Sequence, residues 1–365
     1  MKKYYFLGLA AGKREAWRQL FTRGTERDCA KLKNFLQDKY GGEAILTKNG
    51  RSALALALKA NFEKGDGIIV NGFTCYAVYE AIKAAGMKPI WADISREDLN
   101  FKIMDLEKPE ILSGSPKGII VQNTLGNPVD IVKIEKFAKK HDLKIIEDLA
   151  HSVGVKYLDG REAGTVGVAT VLSFGKDKSI DTTSGGALIL REPGINPIKA
   201  PSVIPKPSDT LRARVYPLFG GLCRSLARIH LGGALMRLLV KIHWVEKSAD
   251  NKLDLSRKIS NFEAKLALEQ LEKIKKSGEK PLRDFYLVKN RGEVLAKLRK
   301  AGYYFDGFWY ERPVSPERYY EKVHFPEKEC PVATDVASKI INFPNYYTRK
   351  ELASAYKIIE EYLDD

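Results

Sequence analysis

From Gly41 to Leu190 the chain alternates short β-branched runs with stretches of helical periodicity, and this alternation restricts the fold more than any other feature. The runs "GIIV" (from Gly67), "KPIWADI", "KGIIVQN", "LKIIEDLA" and "ATVLSFG" read as buried strands, because a strand covered on both faces needs no polar alternation. Between them lie helical patterns such as "YAVYEAIKAAG", closed by Gly86, and "IVKIEKFAKKHD". Strands alternating with helices make βαβ units, so the expectation is an α/β fold with a mostly parallel central sheet and helices on both faces. Ligands of such sheets bind beyond the carboxyl ends of the strands, which directs attention to the residues just after each apolar run.

With 365 residues there is room for a second, smaller unit. Glu192 to Asp209 is proline-rich and reads as a connector. A large α/β domain is therefore expected over residues 1–247 and a smaller α+β domain over 248–365. The formal net charge of +15 suits an anionic partner, although a lysine-rich solvated surface explains it equally well. No zinc finger, RNP-like aromatic motif or basic zipper is present, so nucleic acid is disfavoured. Four scattered cysteines without a CxxC pair, and five histidines, argue for free thiols in the cytoplasm and against structural zinc. The N-terminal "MKKYYFLGLAAGKREAW" reads as mature sequence, because charged residues interrupt its short apolar patch.

Three places on the expected rim of the sheet hold chemistry-bearing residues. "TKNGRSALALALKA" runs through Asn49, Gly50, Arg51 and Ser52 into a helix, and a helix N-terminus after a glycine turn can hold an anion or simply be capped. "IIEDLAHS" sets Glu147, Asp148 and His151 at a strand end, as ligands or as caps. "SFGKDK" adds Ser173, Lys176 and Lys178 at another. An anion cradle, an acid, a hydroxyl and an amine on one rim match the needs of pyridoxal 5'-phosphate: a seat for the phosphate, a partner for the protonated ring nitrogen and an amine for the aldehyde.

At this point the chain resembles the DegT/DnrJ/EryC1/StrS family of PLP-dependent sugar aminotransferases, of fold type I. "NGRSALALAL" is similar to the family's "SGTxAL" turn, and "NTLGNPVDIVKIEKFAKKHDLKIIEDLAHSVG" to its "GxPxDxxxIxxIAxxxxLxxIEDxAxxxG" stretch. "SFGKDKSIDTTSGGAL" resembles its "SFxxxKxxxxGEGG" stretch and "INFPNYYTRKEL" its C-terminal segment. The resemblance implies that Lys178, five residues after Ser173, bonds the cofactor aldehyde and then moves the substrate proton. It implies that Asp148 pairs with the pyridinium, that His151 lies near the ring, and that Ser173 with Gly50, Arg51 and Ser52 contacts the phosphate. It further implies a homodimer, an amino acid donor (glutamate by family habit) and a nucleotide-linked keto sugar as acceptor, in surface polysaccharide or related glycan biosynthesis.

Departures from the family pattern are specific. Cys75 stands where an aromatic usually stacks on the ring, with Tyr76 or Phe73 nearby as substitutes, and Arg51 replaces a threonine. Ser184 replaces the glutamate of "GEGG", and Ser256 and Lys258 stand at the partner-subunit "NxR" positions. These changes leave a rival reading, a non-catalytic membrane-associated scaffold or regulator that retains the fold. Residues 211–245 also read as a basic amphipathic helical pair ending near Trp244, suited either to an anionic inner-membrane face or to packing on the protein itself. The aromatics and arginines of "FDGFWYERPVSPERYY" (Phe305 to Tyr320) suit a sugar ring and a diphosphate, or ordinary loop packing.

Overall fold

The computed structural model describes residues 3–4, 13–227, 231–245, 252–277, 282–304, 309–344 and 349–364. Seven strands form the central sheet: β1 (Glu43–Thr47), β2 (Gly67–Asn71), β3 (Lys88–Ala92), β4 (Pro116–Gln122), β5 (Lys144–Asp148), β6 (Ala169–Ser173) and β7 (Gly186–Leu190). Their order is β1-β7-β6-β5-β4-β2-β3. All neighbours pair in parallel except β7, which runs antiparallel to both β1 and β6. Each of the five apolar runs forms a strand. The antiparallel strand is a refinement: β7 returns directly from β6 through the loop that holds both lysines, with no helix between the two strands to carry a parallel crossover.

Successive strand residues feed opposite cores. Ile68, Val70, Ile120, Ile146, Val171 and Leu188 join a cluster on one face. Ile69, Ile119, Val121, Ile145, Leu172 and Ile189 join the cluster on the other. This period of two, buried on both sides, is the reason these segments look uniformly apolar in sequence. Helix α1 (Glu26–Tyr40) packs in the second cluster, while α2 (Gly50–Asn61) and α3 (Tyr76–Ala85) pack in the first. Helix α4 (Ile131–Lys140) joins the second cluster through Ile131, Ile134, Phe137 and Ala138.

After the connector comes a helical hairpin, α5 (Pro207–Ala227) and α6 (Gly232–Lys241), interrupted by residues 228–230, which lie outside the described set. Tyr216, Cys223, Leu239 and Val245 form its own small core, with Phe219, Leu235, Met236 and Val240 packed around them. Leu222, Leu231, Leu238, Ile242 and Trp244 are exposed instead. Leu235 and Leu239 thus hold the hairpin together, and Leu238 faces out. Helix α7 (Asn261–Ser277) contributes Ala264, Ala267 and Leu271 to the core shared with α1. Beyond it, β8 (Arg283–Leu287) pairs antiparallel with β9 (Ile340–Pro344). Val288, Val294, Leu298, Ile341, Phe343 and Ile359 make a separate cluster there.

Candidate active site

The turn before α2 is shaped by close approach to β6. A Cβ on Gly50 would lie 2.6 Å from the Ser173 Cβ, so only glycine lets the α2 N-terminus meet the end of that strand. Asn49 caps the helix, its Oδ1 accepting the Ser52 N–H at 2.8 Å. The Ser52 hydroxyl accepts the Asp254 N–H at 3.1 Å, and Ser52 is fully buried. The buried Arg51 guanidinium forms an ion pair with Glu80 on α3. The structure therefore brings Gly50 and Ser173 together, while Arg51 and Ser52 each already serve a partner within the protein.

At the end of β5 two consecutive carboxylates have separate duties. Glu147 is fully buried and accepts hydrogen bonds from the N–H groups of Gly164, Val166 and Gly167, each at 2.7 Å, and from the Tyr157 hydroxyl at 2.7 Å. Arg191 pairs with it at 3.2 Å. Glu147 is thus a structural anchor. Asp148 points to the other face, as the strand's pleat requires, and its Oδ1 accepts the Ala150 N–H at 2.9 Å. Burial raises the Asp148 pKa, while the Ala150 N–H and the nearby Lys178 charge act the other way. A cation brought beside this carboxylate would hold it ionised.

The two lysines after β6 diverge. The Lys176 Nζ lies 4.0 Å from the Tyr216 ring centroid on α5, outside the acid–amine cluster. The Lys178 Nζ lies 4.4 Å from the Trp309 ring centroid. Burial lowers the Lys178 pKa; Cys75, Asp148 and Asp177 partly offset this, and Arg283 adds to it. An amine depressed in this way has a larger neutral, nucleophilic fraction at neutral pH.

His151 completes the cluster. Its Nδ1 accepts the Leu125 N–H at 3.2 Å, which leaves the proton of the neutral ring on Nε2, 3.3 Å from the Tyr310 hydroxyl oxygen. Burial holds the His151 pKa well below the usual histidine value, and Lys178 and Arg283 push it the same way. Trp309 stacks on this imidazole at 4.9 Å and 28°. The buried Arg283 places its guanidinium carbon 4.3 Å from the same indole centroid.

Sequence reasoning included Trp309 and Tyr310 only as part of a longer aromatic stretch, whose residues 305–308 lie outside the described set. Arg283 was missed altogether, since an arginine at the start of a short strand has no local signature. The Tyr76 ring stacks on Tyr319 at 4.5 Å and 18°. Phe73 is buried edge-on against Tyr310 at 5.2 Å. Cys75 lies near both Lys178 and Tyr310, and its Sγ accepts the Ala77 N–H at 3.5 Å at the start of α3.

A mostly parallel sheet with an acid and an amine at adjacent strand ends has the architecture of the fold type I transferases. Residues 19–200 match the DegT/DnrJ/EryC1/StrS aminotransferase family profile, and the chain belongs to that family. It is 33% identical over 159 residues to GDP-perosamine synthase of Escherichia coli O157:H7, covering 43% of each chain. It is 34% identical over 160 residues to dTDP-4-amino-4,6-dideoxy-D-glucose transaminase of Shigella dysenteriae, covering 44% of this chain and 42% of the other. The alignments thus span less than half the length of these curated relatives. The PLP-form of the Streptococcus pneumoniae sugar aminotransferase Spr1654 has the same fold, with a TM-score of 0.68 at 16% identity over 99% of this chain and 100% of that one.

Proposed function

We propose that this chain is a pyridoxal-phosphate-dependent aminotransferase that moves an amino group from an amino acid donor, glutamate in the first instance, to a keto sugar linked to a nucleotide. The observation that carries this reading is the proximity of Asp148 and Lys178: a buried acid that accepts the Ala150 N–H lies near enough to a buried amine for each to bias the other's charge, and burial depresses the pKa of the amine. The residues fit the cofactor in kind. Asp148 would hold the ring nitrogen, His151 would donate from Nε2 toward the ring's substituents, and Ser173 with the Gly50 turn would face the phosphate. The bound cofactor supplies an aldehyde and an electron-withdrawing ring. Lys178 supplies the amine, and its depressed pKa lets it accept and return a proton at neutral pH. The relatives' names, a perosamine synthase and a sugar transaminase, support the acceptor class. A homodimer, a cytoplasmic setting and a role in surface glycan biosynthesis belong to the same proposal.

The test is the two half-reactions run separately on protein loaded with pyridoxal phosphate. Glutamate should release 2-oxoglutarate once per site and convert the cofactor to its amine form. A panel of nucleotide-linked 4-keto and 3-keto sugars should then reverse the spectral change. Absence of the first conversion with every amino acid tried would favour the scaffold reading.

A further inference from the structure

The loop between β6 and β7 carries Lys178, and one carboxylate holds both of its corners. At the base of the loop the Thr182 N–H donates to the Phe174 carbonyl at 3.0 Å, and the Phe174 N–H donates to the Gly185 carbonyl at 2.9 Å. Ile180 is fully buried in the second core cluster, so the loop folds inward. Two of its non-glycine residues have left-handed backbones, Asp177 at φ 66° and Thr183 at φ 75°. Such conformations are disfavoured for a residue with a Cβ, and most of all for a β-branched one, unless the surroundings hold them. Asp181 holds both. Its Oδ2 accepts the Asp177 N–H at 3.3 Å, and its Oδ1 accepts the Thr183 N–H at 3.1 Å. The Asp181 backbone is clamped in turn from α7. The Gln270 Oε1 accepts its N–H at 2.9 Å, and the Gln270 Nε2 donates to its carbonyl at 2.8 Å. Asp177 directly precedes Lys178, so the corner at Asp177 sets the direction in which the lysine leaves the loop.

We propose that Asp181 is a positioning residue for the transfer reaction: by holding two left-handed corners at once it aims the Lys178 amine at Asp148, and Gln270 ties that arrangement to α7. This role rests on the reading of Lys178 as the reacting amine. Stability alone does not account for an acid at this position. Burial and the neighbouring Asp177 carboxylate push the Asp181 pKa up to about 7, while the Thr183 and Asp177 N–H groups and the Lys176 charge act the other way. From α7 it meets the neutral Gln270 amide, and Arg283 at the start of β8 acts on Asp177. An asparagine of the same shape would be easier to bury. What the amide lacks is the second acceptor oxygen, without which only one corner is held.

The experiment is competitive labelling of the full chain, free of cofactor, with trace acetic anhydride across the alkaline range. Peptide mapping reads Lys178 against the exposed Lys139 on α4. In wild type the Lys178 labelling midpoint should lie below the ordinary lysine value, because burial depresses it. Asp181→Asn should move that midpoint upward as the amine leaves its seat, with a melting temperature in the same buffer no lower than that of wild type. Mere loss of a negative charge near an amine would move the midpoint downward, so the sign separates aim from electrostatics. Adding Thr183→Gly relaxes one corner and leaves the single amide oxygen for the Asp177 N–H, so the double variant should return toward wild type. Gln270→Met keeps the bulk but removes both contacts with the Asp181 backbone, and should also move the midpoint upward. With pyridoxal phosphate added, borohydride trapping on Lys178 should slow by about tenfold or more in Asp181→Asn, since an ångström of misplacement is worth on the order of a hundredfold. A midpoint unchanged or lowered in either single variant, an unchanged trapping rate, or no recovery on adding Thr183→Gly overturns the proposal. Acetylation needs no cofactor, so a wild type that traps no pyridoxal phosphate would refute the aminotransferase reading and leave the labelling result standing.

Discussion

Asp148 and Glu147 share a strand end and a chemistry, yet only one has its oxygens taken up by the fold. Five donors converge on Glu147, whereas Asp148 receives the Ala150 N–H and faces Lys178. Replacing Asp148 by Asn should therefore leave the fold intact and cofactor bound but reduce turnover by about a hundredfold or more, the scale on which a single preorganised charge contributes. Steady-state kinetics alongside a cofactor-binding titration checks this; unchanged turnover would remove Asp148 from the mechanism. Sequence alone left the pair "ED" evenly balanced between ligand and cap. The alternation of a strand says that the two point apart, but not which face holds the site. That required the loop at residues 164–167, which folds back onto Glu147. Likewise Ser52 and Arg51 look available in sequence, and only the structure shows the hydroxyl held by Asp254 and the guanidinium by Glu80.

The strands and their faces were legible because burial on both sides leaves a plain apolar run, and α7 was legible through its amphipathic period. Its start is a capping box: Ser260 Oγ accepts the Glu263 N–H at 3.2 Å, and Glu263 accepts the Ser260 N–H at 3.1 Å. Burial pushes the Glu263 pKa up to about 7, above its ordinary 4.5. In the folded state the group therefore binds its proton more tightly than in the unfolded chain. Its contribution is complete below about pH 4.5 and is lost as pH rises through about 7, amounting to at most roughly 3 kcal/mol. Glu263→Gln removes this titration, so its melting temperature should fall less than that of wild type between about pH 5 and pH 8. Thermal melts across that range decide it, and parallel curves for the two proteins would contradict the assignment. The α5–α6 hairpin was legible as two basic helices but not in its facing. Leucines on nearly every side hide which stripe is inward, and the structure assigns Leu235 and Leu239 to the hairpin core and Leu238 to the surface.

At the scale of the whole molecule, the hairpin is the feature that the family resemblance explains least. Among the described residues no helix is long and apolar enough to cross a membrane. The exposed Leu222, Leu231, Leu238, Ile242 and Trp244 of this basic hairpin instead suit peripheral contact with anionic lipid, which we propose as the hairpin's outer face. Co-sedimentation with phosphatidylglycerol vesicles should be lost in Leu238→Glu combined with Ile242→Glu, which spare the hairpin core; equal sedimentation would end that idea. What unites the molecule is the loop between β6 and β7. It leaves a parallel strand, sends Lys176 toward the hairpin and Lys178 toward Asp148, and returns antiparallel through Gly186.

The most direct measurement of the central claim is borohydride reduction of the protein with pyridoxal phosphate, followed by peptide mapping. The account predicts a pyridoxyl label on Lys178 and none on Lys176. A label on Lys176 with Lys178 unmodified would contradict it.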